Sequence, residues 1–229
     1  MAEQPIAILF DIDGTLIVTG GAGASSWRLA FQELYGIPAD IGEFTDAGMT
    51  DPEVGRRTFA AVLHRDPDRG EFARLLERRL HYLRQTVAES PDYRVLPGVP
   101  ELLGKLIQTG YLLGLVTGNV EAAAHIKLHR AQLNRFFSFG GYGSDSSDRG
   151  ELTRAALKRA SLVFGEPIAP ARALTVGDTP HDVAGAHAAG ILCVGVASHH
   201  FSIEQLRAAG ADYAIGSLEG GLPPEALRR

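Results

Sequence analysis

The chain has 229 residues, 45% of them apolar and 21% charged, and carries a formal net charge of −5. That length suffices for a full core in one or two domains, and the negative charge gives no general attraction to nucleic acid or an anionic membrane. A polyanion would have to be held by a local cationic site. The single cysteine, Cys193, excludes an internal disulfide and fits a reducing compartment; within the run ILCVGV it reads as buried packing. No signal peptide or membrane-length apolar run is visible, so a cytoplasmic protein is expected.

The first predicted strand, residues 6–11, is an apolar run that ends at Asp11 and Asp13, followed by Gly14 and Thr15. A strand repeats its side-chain direction every two residues, so the two acids turn toward one space. Paired carboxylates repel unless a cation or proton intervenes, and Gly14 permits a tight bend just after them. The pattern suggests a metal-assisted nucleophile with a second carboxyl group beside it.

Nearly a hundred residues separate this strand from the next, far more than a crossover needs. Helical spacing is read at 25–35, 52–64 and 68–88, the last with Phe72, Leu75, Leu76, Leu80, Leu83 and Val87 on one face. Arg69, Arg74, Arg78, Arg79 and Arg84 are expected to lie largely away from that face, in solvent. The insert returns through Ser90-Pro91-Asp92, a turn-rich boundary. The division expected is a core of 1–17 and 92–229 with a helical module at 18–91.

Further strands are predicted at 111–117, 136–139, 173–177, 191–196 and 212–215, alternating with helical patterns from residue 100 onward. This argues for an α/β fold with a doubly wound parallel sheet. Such sheets bind ligands beyond the carboxyl ends of their strands, where Asp11, Thr117 and Asp178 all fall. After Thr117 come Gly118 and Asn119 and a helix at about 120–130, whose free backbone amides favour an anion. The segment LTVGDTPHDV places Asp178 and Asp182 four apart, with Pro180 suited to a first helical turn. Small residues from Ala184 to Ala189 let that helix lie close on the sheet.

Asp-x-Asp-Gly-Thr after a strand, a helical insertion and a late Gly-Asp-x-x-x-Asp together resemble the haloacid dehalogenase superfamily, most of whose members are magnesium-dependent phosphatases. The resemblance spans nearly the whole chain and is most like phosphoglycolate phosphatase relatives. It implies that Asp11 is the nucleophile and Asp13 the acid/base. It implies too that Mg2+ is held by the Asp11 and Asp178 side chains and the Asp13 backbone carbonyl, with Asp182 orienting another ligand. Thr117, Gly118 and Asn119 would bind phosphate, and the helical insert would be a cap, with 37–51 as its lid edge and 20–25 as hinge and rim. The family normally supplies a lysine before the helix at 152–160; here Arg149 stands there, and Lys158 is the competing candidate. The bland alternative pairs Arg149 with Asp145 or Asp148.

The implied reaction is hydrolysis of a small phosphomonoester, phosphoglycolate-like or a sugar phosphate, through an aspartyl-phosphate. A β-phosphoglucomutase shares both acids and stays an alternative, as does a catalytically silent binding protein on the same fold. A dehalogenase needs neither metal nor the second aspartate, so Asp13 and Asp178 argue against it. A phosphonoacetaldehyde hydrolase needs an insert lysine, and none precedes Lys105. Other signals take bland readings. Gly21-Ala22-Gly23 lacks the third glycine of a dinucleotide loop, His125 and His129 have no third zinc ligand, and His199-His200 reads as a surface loop.

Overall fold

The computed structural model describes residues 7–227, so Ile6 and the expected core ends at 1–6 and 228–229 lie outside the described residues. Six parallel strands form one sheet in the order β5-β4-β1-β6-β7-β8. They are β1 (Ala7–Phe10), β4 (Leu112–Thr117), β5 (Phe139–Tyr142), β6 (Ala173–Gly177), β7 (Leu192–Val196) and β8 (Tyr213–Ile215). From the centre the chain first winds outward through β4 and β5, then crosses to β6 and winds the other way. The carboxyl ends of β1, β4 and β6 therefore border one crevice at the switch of direction.

β1 is fully buried because helices cover both faces of the sheet. Ile8 and Phe10 pack toward α4 (Val99–Gln108) and α5 (Glu121–His129), while Ala7 and Leu9 pack toward α6 (Arg149–Phe164) and α7 (Pro180–Ala188). A strand buried on both faces reads as a continuous apolar run, which is why AILF shows no alternation. Cys193 is buried in the α6–α7 layer, and burial pushes its thiol up to about 12. A final helix, α8 (Ile203–Ala208), packs beside β7 and β8.

One strand expectation is corrected. Residues 136–139 were read as strand, but Leu133–Phe136 form a 3-10 turn and the strand begins at Phe139. The aromatic pair Phe136-Phe137 imitated strand composition; both side chains pack against the core from the connecting segment instead.

The insert holds α1 (Ala22–Tyr35), α2 (Asp51–Leu63) and α3 (Arg69–Glu89), packed around Trp27, Phe31, Phe59 and Leu75. α2 starts at a Thr50 cap, and α3 at a reciprocal cap between Asp68 and Glu71. The chain enters and leaves the insert side by side. β2 (Ile17–Val18) and β3 (Arg94–Val95) form a short antiparallel ribbon, and the Ser90 hydroxyl donates to the Thr19 carbonyl at 2.8 Å. No described helix is long and apolar enough to cross a membrane.

Arg79 is a second correction. It is 1% exposed, on the buried face of α3 between Leu75 and Leu83, rather than in solvent. Its guanidinium lies over the Trp27 ring and donates to Asp51 Oδ1 at 2.9 Å, and this partner from α2 permits the burial.

Candidate active site

Asp11 follows β1 directly, its backbone amide continuing the sheet by donating to the Val176 carbonyl at 2.9 Å. Its buried carboxylate accepts from Arg149 Nη2 at 3.3 Å. Asp13 lies past the turn, with its side chain 41% exposed. Asn119 Nδ2 and Lys127 Nζ both donate to its Oδ2, at 2.8 and 2.6 Å.

The two acids therefore face different fields. Burial raises the Asp11 carboxyl well above the usual range, with Asp182 adding to it against the opposing Arg149 charge. Burial acts on Asp13 in the same direction, but the Lys127 charge and the hydrogen bonds from Asn119 and Lys127 outweigh it and hold the group low. Gly14, at φ +84°, lets the chain pass close against the Asp178 carboxylate, where a Cβ would collide.

The end of β4 supplies Thr117, which is buried. Its hydroxyl oxygen accepts from the Asn119 side chain at 2.8 Å, tying that residue between Thr117 and Asp13. Gly118 meets the insert: its carbonyl accepts from the Asp51 amide at 2.7 Å, and a Cβ there would lie 2.6 Å from the Met49 carbonyl. Asp51 Oδ2 in turn accepts from the Val120 amide at 2.9 Å, so an acid of the insert covers a free donor at the start of α5.

β6 ends at Gly177, and Asp178 and Asp182 follow across the start of α7. Asp178, Asp182 and Asp11 are buried, and one carboxylate oxygen from each lies within 4.8 Å of the other two. Burial, reinforced by Asp182, pushes the Asp178 carboxyl up to about 8. Arg149, the first residue of α6, donates to Asp182 Oδ1 at 2.8 Å as well as to Asp11. Its Nε and Nη1 are buried without a hydrogen-bond partner among the described residues, which leaves donors for an anion entering beside Asp11. Asp145 pairs with Arg159, and Asp148 with Arg154, so neither acid holds Arg149. Lys158 is exposed on α6. One guanidinium against three buried carboxylates leaves excess negative charge. Hard oxygen donors so crowded fit a magnesium ion.

Asp11, Asp13, Thr117, Asn119, Arg149 and Asp178 line one cavity of about 290 Å³, which Asp182 does not reach. The insert closes it with Ala47, Gly48 and Met49 on one side and Val18, Thr19, Gly20 and Gly21 on the other. Gly48, at φ +90°, packs against His181 and Thr179 at the start of α7, where a Cβ would lie 2.7 Å from the His181 ring. His199 and His200 are exposed, as a surface loop would have them, yet they also form part of the cavity wall. His125 bonds to Asn134 at 3.0 Å and has no part in the cavity.

Lys127 escaped the sequence reading. On α5 it falls with Ala123, Ala124 and Leu128 on the buried face, so a lone cation on an apolar stripe was the available signal. Asp51 left a weaker one, as an ordinary acid in a helix's first turn.

A family profile for haloacid dehalogenase-like hydrolases matches residues 8–196. A phosphoglycolate phosphatase of Pseudomonas syringae pv. tomato is 32% identical over 195 residues, covering 84% of this chain and 69% of that protein. One from Rhodospirillum rubrum is 32% identical over 217 residues, covering 91% and 86%. Among solved structures, a β-phosphoglucomutase from Clostridium difficile shares the fold with a TM-score of 0.74 at 18% identity, covering 97% of this chain and 95% of that one. The crevice at the switch of the sheet thus carries a known family's motifs, and the chain belongs to the haloacid dehalogenase-like hydrolases.

Proposed function

We propose that this hydrolase is a magnesium-dependent phosphatase that cleaves a small phosphomonoester through an aspartyl-phosphate on Asp11. The observation that carries the reading is the contrast between its two neighbouring acids. Asp11 lies among carboxylates and one guanidinium, whereas Asp13 is held by an amide and an ammonium at the edge of the same cavity.

Asp11 attacks phosphorus, and the bond to the leaving alcohol breaks as Asp13 delivers a proton to its oxygen. Asp13, now a carboxylate, takes a proton from water. The water oxygen attacks phosphorus and releases Asp11 and inorganic phosphate. Thr117, the Gly118 amide and Arg149 bind the phosphoryl oxygens and stabilise their charge, while Asn119, whose side-chain amide already donates to Thr117 and Asp13, holds those two groups in place. Asp11, Asp178 and the Asp13 carbonyl would hold the metal. Both oxygens of Asp182 already accept hydrogen bonds, from Arg149 and from Thr179, which suits it to orienting its neighbours. Bound magnesium supplies offset of carboxylate–phosphate repulsion and polarisation of the phosphoryl group.

The helical insert, residues 18–91, acts as a cap that excludes water, with 37–51 as its lid edge. A cavity of about 290 Å³ suits a phosphoglycolate-like acid or a sugar phosphate. The named activity of the Pseudomonas and Rhodospirillum relatives supports the first. The test is phosphate release from a panel of phosphomonoesters with magnesium, including 2-phosphoglycolate and β-glucose 1-phosphate, with glucose 6-phosphate assayed as product. Phosphate release from a small monoester supports the proposal. Glucose 6-phosphate without phosphate release would make the protein a mutase, and no turnover at all would make it a binding protein.

A further inference from the structure

Asp13 carries two donors on one oxygen, and one of them is expensive to keep there. Lys127 lies on the inner face of α5 with its side chain 7% exposed, and its Nζ reaches Asp13 Oδ2 at 2.6 Å across 114 residues of sequence. Ala123, Ala124 and Leu128 share that buried face, and Gly23 of α1 lies over the ammonium, the position of a Cβ there being 3.9 Å from Nζ, an ordinary contact distance. Burying an ammonium costs several kcal/mol unless a partner compensates, and Asp13 is the only carboxylate paired with it among the described residues. Asn119 Nδ2 meets the same Oδ2 at 2.8 Å, while Oδ1 takes no hydrogen bond among the described residues.

We infer that Lys127 is a positioning residue for Asp13, clamping Oδ2 together with Asn119 so that Oδ1 alone exchanges a proton with the leaving group. An oxygen that accepts from an ammonium and an amide cannot itself present a proton to the substrate. In the acid form the proton therefore resides on Oδ1; in the base form Oδ1 is the oxygen open to water. The clamp also orders a side chain that is otherwise 41% exposed, which removes unproductive rotamers before each transfer. The inference rests on the acid/base role proposed for Asp13.

The test compares kcat/KM of the wild type and Lys127→Met on three leaving groups: a neutral alkyl phosphate, a carboxylated alkyl phosphate such as 2-phosphoglycolate, and 4-nitrophenyl phosphate. Nitrophenolate departs without a proton. The expected result is a loss of roughly 10²-fold on both alkyl esters, the low end of what general acid catalysis supplies, and a far smaller loss on the aryl ester. An equal loss on all three would make Lys127 structural and overturn the inference. A loss confined to the carboxylated ester would make it a substrate ligand and overturn it equally. If Lys127→Met does not fold, judged by thermal melting, Lys127→Gln is read by the same split. Wild-type protein inactive on all three would instead overturn the proposed phosphatase function, an outcome the wild-type control separates from failure of the clamp.

Discussion

Asp11 and Asp13 stand two positions apart and answer to different cations, Arg149 and Lys127. The proposed roles need Asp11 ionised and Asp13 protonated, whereas burial raises the Asp11 carboxyl and Lys127 with Asn119 holds that of Asp13 low; a divalent cation on Asp11 and the charge of a phosphate beside Asp13 act in the opposite sense. Asp11→Asn removes the attacking oxygen yet keeps the shape, so turnover should fall by at least about 10⁴-fold with the melting temperature little changed. Substantial retained turnover of a purified variant would exclude Asp11 as nucleophile. Arg149 and Lys158 share α6, but Arg149 touches Asp11 and Asp182 while Lys158 is exposed. Arg149→Ala should lower kcat/KM by about 10²-fold or more, whereas Lys158→Ala should stay near wild type in the same assay. The sequence offered both residues for one role, because position along a helix does not tell which one turns inward until the sheet beneath it is built.

Among the elements, α2 and α3 do more than cover the cavity. Asp51 ties the first turn of α2 to Gly118 and Val120 of the core while receiving Arg79 from α3. One carboxylate thus joins both helices of the insert to the segment proposed to bind phosphate. Asp51→Ala would strand the Arg79 guanidinium in an apolar site beside Trp27, at a cost of about 3–5 kcal/mol in a denaturant-melting experiment. It should also raise KM, because the proposed lid edge loses its hold on the segment proposed to bind phosphate; a variant as stable and as tight as wild type would show the contact to be idle. The apolar spacing of α3 already runs through Arg79, since residues 72, 75, 79, 83 and 87 are its buried stripe. By charge the arginine belongs in solvent and by position in the core, and its buried partner Asp51 decides for position.

At the scale of the molecule, the crowded acids should make stability depend on pH and, under the proposed metal site, on magnesium. Burial and Asp182 push the Asp178 carboxyl up to about 8 from an ordinary 3.8, so the folded state holds the proton to higher pH than the unfolded one. The sign follows: this stabilisation is complete below about pH 4 and is lost as pH rises toward 8. In chelator, the melting temperature should fall between pH 5 and 8, and Asp178→Asn should flatten that slope. Magnesium should raise the melting temperature more at pH 8 than at pH 5, since its ligands must give up protons to bind it. Equal magnesium stabilisation at both values would remove these carboxylates from the metal site.

Local pattern was enough for much of this protein. The apolar run ending at Asp11, the strand ends at Thr117 and Gly177, and the three helices of the insert were legible because each is written in contiguous residues with a fixed period. The α/β order of strands followed, and with it the crevice that Asp11, Thr117 and Asp178 share. The pairing of distant charges was not legible in Lys127 with Asp13, Arg79 with Asp51, or Arg149 with Asp182, and Arg149 beside Asp11 was implied only by the family resemblance. Periodicity fixes which face of an element a residue occupies. Which charge meets which depends on how two elements far apart in sequence are packed, and a buried ion pair exists only once that packing has excluded water around both partners.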